Sequence, residues 1–242
     1  MSALLRWAEA DRATVGGLLP EALVLLPIGA TEQHGPHLPT GTDALLAATV
    51  CETAAELAAP SSARPLLLAP AIPLGASDHH LPFNGTLSLS PQTLLAVLAD
   101  VARSVSVQGG RRLVVVNGHG GNVGVCHAFA GAASTRHGLS VAHLDYWRVL
   151  APQDIVPGHA GVFETALVQA VRGDLVRRPP HRDEPPQPPT VSDVDIHSGE
   201  IWRGIDGYTD QPERATESRG RAWLDEIASG LAERFVALAK VM

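Results

Sequence analysis

Two cysteines, Cys51 and Cys126, are all that 242 residues contain. They are too few and too far apart for a disulfide framework. Both lie in apolar stretches of helical character, where a free thiol packs as a small hydrophobe. No run of about 18 apolar residues is present to span a bilayer. The start, Met1-Ser2-Ala3-Leu4-Leu5-Arg6, lacks the extended apolar segment of a secretion signal. The expected location is therefore the cytoplasm, with no membrane partner. Positive charge is outnumbered, 18 Lys and Arg against 25 Asp and Glu, for a net charge of -7. No basic stripe interleaved with aromatics exists, which argues against a nucleic-acid footprint. Aromatics make up only 4%, so the core has to be built from Ala, Leu and Val. No internal repeat is found.

Hydrophobic residues make up 45% of the chain, enough for a sizeable core. A single domain spanning residues 1–242 is expected. Short apolar runs alternate with longer helical patterns. Strands are predicted at Leu23–Ile28, Leu66–Ile72, Arg112–Val116 and Leu139–Leu144. Helices are predicted from Asp43 to about Ala59, from Pro91 to about Val107 with Ser90 as cap, up to about His137, and from near Gly161 to near Gly173. A last helix is predicted from Glu213 to Lys240, with Trp223, Leu224, Ile227, Leu231 and Phe235 at helical spacing. Arg177–Thr190, with six prolines, reads as an extended surface connection. Continuous apolar strands between helices indicate an α/β fold with a mainly parallel sheet covered on both faces. In such sheets ligands bind beyond the carboxyl ends of the strands.

The polar residues of interest fall at those ends. After the first strand comes Thr31-Glu32-Gln33-His34-Gly35-Pro36-His37-Leu38-Pro39-Thr40-Gly41-Thr42-Asp43. It sets a carboxylate, an imidazole two residues on and a second carboxylate nine residues later on a stiff loop. That mixed set suits Zn, Mn or Fe and points to a hydrolase. Asn117-Gly118-His119-Gly120-Gly121-Asn122 turns sharply after the third strand and presents His119; by itself it is equally a helix-capping turn. In His159-Ala160-Gly161-Val162-Phe163-Glu164-Thr165, Glu164 reads either as a first-turn acid favoured by the helix dipole or as a ligand or base. His159 is suited to proton transfer near neutral pH. Gly75–Thr86 carries His79 and His80, either substrate contacts or solvated loop residues. Tyr146, Trp147 and Trp202 read as packing residues before pocket residues.

Together these segments resemble, across residues 27–165 and in order, the creatininase (creatinine amidohydrolase) family. Its pattern is Glu-Gln-His-Gly-Pro-His-Leu-Pro with Thr-Asp following, a Ser…His…Phe…Gly-Thr loop, an Asn-Gly-His turn and His-Ala-Gly…Glu-Thr. Gly204–Thr216 is similar to the family's closing stretch. The resemblance implies a three-layer α/β domain, a homo-oligomer and two divalent ions per chain (Zn, Mn or Fe). Carried over by position, Glu32, His34, Asp43 and His119 match metal ligands, with Asp43 bridging, and His159 matches a catalytic histidine. His80, Gly120 and Gly121 fall where substrate is contacted. Creatininase itself has an acidic ligand where this chain has Gly121, so the resemblance is to the Gly-His-Gly-Gly-Asn subgroup. Glu164 then stands in for the missing oxygen ligand or serves as a catalytic group. The implied activity is hydrolysis of a small cyclic or linear amide by metal-bound hydroxide. The alternatives are a peptidase acting on a short modified peptide, as in mycofactocin maturation, and a metal-free binding protein that retains the fold.

Overall fold

In a computed structural model of the chain, residues 4–150, 157–184, 186, 189, 191, 192, 194, 196 and 198–242 are described. The elements in order are β1 (Leu4–Arg6), α1 (Arg12–Leu18), β2 (Leu23–Ile28), α2 (Thr42–Ala58), β3 (Leu66–Leu68), α3 (Pro91–Val107), β4 (Arg112–Asn117), α4 (Val123–His137), β5 (Ser140–Asp145), α5 (Val162–Arg172), α6 (Gly199–Gly204) and α7 (Glu217–Val241), with short 3₁₀ turns between them. No helix among the described residues is long and apolar enough to cross a membrane.

The five strands form one parallel sheet in the order β1-β3-β2-β4-β5. β2 and β4 are central and buried at every position, which is why both read as continuous apolar runs. Alternate residues serve opposite layers. Leu23, Leu25, Val114 and Val116 pack with α2, α5 and α7. Val24, Leu26, Leu113 and Val115 pack with α1, α3 and α4. The expected three-layer α/β architecture is therefore present.

Local chemistry explains the boundaries. Pro91 opens α3 and the Ser90 hydroxyl accepts the Thr93 N–H at 3.2 Å, an N-cap with proline at the first helical position. α4 ends at Gly138 in the left-handed region, φ 63°. β3 is shorter than the predicted Leu66–Ile72. Pro70 has no N–H to donate, and Pro27 of the adjacent β2 has none either, so the ladder lapses after Leu68 and pairing recurs only at Ile28 and Ile72. α7 starts at Glu217 rather than Glu213, because Thr216 caps it and Pro212–Arg214 forms a separate turn. β1, α1 and α6 have no counterpart in the sequence reading; each is short. The predicted Arg177–Thr190 connection is described only in part, since Pro185, Gln187, Pro188 and Thr190 lie outside the described residues. Cys51 and Cys126 are free and buried.

The chain leaves β2 toward β3 on one side and crosses to β4 on the other. The connections therefore diverge between β2 and β4, and a crevice opens at their carboxyl ends. Gly29 lets α2 close on that crevice: a Cβ there would lie 2.4 Å from the Ala44 nitrogen.

Candidate metal centre

Four segments converge on the crevice. The loop after β2 brings Glu32, Gln33, His34 and His37, all buried. Asp43 sits in the first turn of α2, where the helix dipole favours a carboxylate. The loop after β3 brings Ser77 and His80, and the turn after β4 brings His119, all three buried. Glu164 comes from the first turn of α5, and His159 precedes it.

Asp43 lies at the centre. Its Oδ1 is 3.1 Å from His34 Nε2 and its Oδ2 is 3.1 Å from His119 Nδ1. The far nitrogen of each imidazole is held by a carbonyl. His34 Nδ1 donates to Glu32 O at 3.1 Å, and His119 Nε2 donates to Ala76 O at 3.2 Å. That is the second-sphere pattern of metal-ligating histidines, with the tautomer set by the outer hydrogen bond. Glu164 Oε2 approaches His34 Nε2 at 3.7 Å while accepting the Ala160 N–H at 2.5 Å. The position of this acid thus suits the helix-start reading and leaves it facing the cluster. Glu32 spans the remaining side, Oε2 at 3.4 Å from His119 Nε2 and Oε1 at 3.4 Å from His159 Nδ1 and 3.5 Å from His80 Nε2.

Both oxygens of Glu32 and Oδ2 of Asp43 are buried without a hydrogen-bond partner. Buried carboxylate oxygens without hydrogen-bond partners, set among imidazoles, suit a cation. Glu32, His34 and Asp43 offer ligand atoms within 4.8 Å of one another, as do His34, His159 and Glu164. The residues present fit divalent ions of the borderline kind. The electrostatics of the protein alone agree. Burial opposes the charged form of His34, yet the Asp43 carboxylate, with Glu164 and Glu32, lifts it to about 10. Burial opposes that of His119 too, and Glu32 and Asp43 lift it to about 9. Burial pushes Glu32 and Glu164 up to about 7. It also keeps His159 neutral, helped by His34 and His80.

Every residue singled out in the sequence for metal or proton chemistry comes to this crevice. Gly120 and Gly121 form the exposed turn beside it. A Cβ on Gly121 would lie 2.2 Å from Ala76 O and 2.5 Å from His119 Nε2, so the turn admits only glycine there. Gln33 and His37 went unrecognised in the sequence, whereas Trp202 was weighed there as packing before pocket. Gln33 bonds to His80, His159 and Gly207. His37 stands behind the site, 3.0 Å from Thr165 Oγ1, and burial lowers it to about 4. Trp202 on α6 packs over His80 and His159, ring centroids 4.5 and 5.4 Å away, which places it at the edge of the crevice. Gln33 and His37 lie inside the long motif, which was their one signal. Tyr146 is core, as expected.

Fold and crevice define an α/β protein with a buried carboxylate–histidine cluster that could hold metal. The chain belongs to the creatininase family: residues 3–235 match the family described as creatinine amidohydrolase. The mycofactocin precursor peptide peptidase of Mycolicibacterium smegmatis is 33% identical over 213 residues, 88% of this chain and 83% of that protein. The creatinine amidohydrolase of Pseudomonas putida is 29% identical over 259 residues, 95% and 93% of the two chains. A solved manganese form of creatininase aligns with a TM-score of 0.79 at 27% identity over 97% of each chain.

Proposed function

We propose that the chain is a binuclear metal-dependent hydrolase of a C–N bond in a small amide or a short modified peptide, with residues 1–242 acting as one unit. The observation that carries this is Asp43, whose two oxygens face two separately braced imidazoles while its Oδ2 and both Glu32 oxygens lack hydrogen-bond partners. Glu32, His34, Asp43, His119 and Glu164 would hold the ions, with Asp43 between them. When bound, divalent ions polarise an amide carbonyl and lower the pKa of water from about 15.7 towards about 7. His159, neutral and with Nδ1 facing the site, accepts a proton there and returns it to the leaving nitrogen, a role worth about 10²–10⁴-fold. Trp202, His80 and the Gly120-Gly121 turn bound the space for substrate, and the rings exclude water from it.

The peptidase reading is favoured within this class by one observation: the 33% identity to the mycofactocin precursor peptide peptidase exceeds the 29% to the creatinine amidohydrolase. A metal-free binding protein would leave both Glu32 oxygens buried without a hydrogen-bond partner. Elemental analysis, with turnover measured on lactams, formamides and short modified peptides in Zn, Mn or Fe, tests the proposal. About two divalent ions per chain are expected, with hydrolysis in at least one substrate class. Protein that holds no divalent ion and cleaves none of them would sink it.

A further inference from the structure

Gln33 contacts two histidines of the crevice at once, and its hydrogen-bond accounting closes in only one way. Its Oε1 accepts the Gly35 N–H at 3.0 Å, which orients the amide. Its Nε2 lies 2.6 Å from Gly207 O, 2.9 Å from His80 Nδ1 and 3.1 Å from His159 Nε2. An amide nitrogen has two hydrogens for these three neighbours. The Gln33 main-chain carbonyl lies 2.8 Å from His159 Nε2. Two acceptors in contact at that distance would repel, so His159 carries its proton on Nε2 and donates it to the carbonyl. The two amide hydrogens then go to Gly207 O and His80 Nδ1. Gly207, at φ 72°, makes this possible: a Cβ there would lie 2.8 Å from Gln33 Oε1.

We infer that Gln33 is a positioning residue that holds the two histidines in opposite senses. Its side-chain amide makes His80 an acceptor at Nδ1 and therefore a donor at Nε2. Its main-chain carbonyl makes His159 a donor at Nε2, so that in the neutral ring Nδ1 is the acceptor. Both inward nitrogens face Glu32 Oε1, at 3.5 and 3.4 Å, so one ring offers the reaction a hydrogen and the other a lone pair. The significance of that difference for turnover rests on the hydrolase reading; the tautomers themselves do not.

The test is ¹⁵N imidazole spectroscopy of the zinc-loaded protein, with His80→Asn and His159→Asn identifying the signals. In wild type, His80 should show a bare Nδ1 and His159 a protonated Nε2. In Gln33→Met, which keeps the volume and loses the donor, His80 should lose its single-tautomer signature. His159 should keep its own, because the main-chain carbonyl remains. kcat should fall about 10–100-fold, the cost of losing an outer-sphere partner, with KM changing less. A protonated Nδ1 on His80 in wild type, or an unchanged His80 signature in Gln33→Met, overturns the assignment. If Gln33→Met fails to fold, the wild-type spectrum still decides. A wild type that turns over no amide substrate while showing the expected tautomers removes the hydrolase reading and leaves the assignment standing.

Discussion

Replacing Asp43 by Asn keeps the shape of the side chain and removes the charge between two imidazoles. In the chelator-treated protein near pH 7, Asp43 is ionised. Burial works against this, but His34 and His119 hold its carboxyl well below the usual range. His34 is itself held charged by Asp43, and His119 by Glu32 and Asp43 together. All three are buried, and each Asp43 oxygen has its imidazole at 3.1 Å. Removing one partner of such a buried set costs about 3–5 kcal/mol. For a chain of this size each kcal/mol moves the melting temperature by about 2–4 °C. Metal-free Asp43→Asn should therefore melt about 6–20 °C below metal-free wild type by calorimetry. Glu32→Gln is the contrasting variant. Burial lifts Glu32 to about 7 and its oxygens have no hydrogen-bond partner to lose, so the metal-free variant should melt closer to wild type than Asp43→Asn does. After metal loading and gel filtration, elemental analysis should find Asp43→Asn almost empty and His34→Gln with about half the wild-type content. An Asp43→Asn protein that melts with wild type and binds as much metal would refute the reasoning.

Three further outcomes are expected. Glu164→Gln should lower metal occupancy and loosen the start of α5 by about 1 kcal/mol, because Oε2 both faces His34 and accepts the Ala160 N–H; full occupancy with lost turnover would make Glu164 a catalytic group and not a ligand. Gly121→Ala should destabilise the protein by about 1–3 kcal/mol in urea titration, since its Cβ meets the Ala76 carbonyl; an unchanged midpoint would mean that the turn can move aside. Cys51 and Cys126 should resist a thiol reagent at pH 8 until the protein is unfolded, because burial raises both thiols, that of Cys126 to about 12; rapid native labelling of either would contradict their packing.

Much of this molecule was legible without coordinates. β2 and β4 announce themselves as unbroken apolar runs because a central parallel strand is buried on both faces. The start of α3 is written in Ser90-Pro91, and the end of α4 in Gly138, because caps act over three or four residues. The ligand candidates were legible for a related reason: Glu32, His34 and Asp43 sit on one stiff loop and the helix it feeds, and the family's motifs keep them in order. β1, α1 and α6 escaped notice because three to seven residues carry too little periodicity to stand out.

Interactions across the sheet were decided by tertiary structure alone. The order β1-β3-β2-β4-β5 is what sets the ends of β2 and β4 side by side, so that Asp43 reaches both His34 and His119. Only folding brings Trp202, separated from His80 by more than a hundred residues, over the pocket, or carries Gly207 to the Gln33 amide. Propensity, capping and hydrophobic period are short-range effects and leave their mark in neighbouring residues. Which oxygen faces which nitrogen depends on segments that meet only when the core closes, and that information is spread along the whole chain.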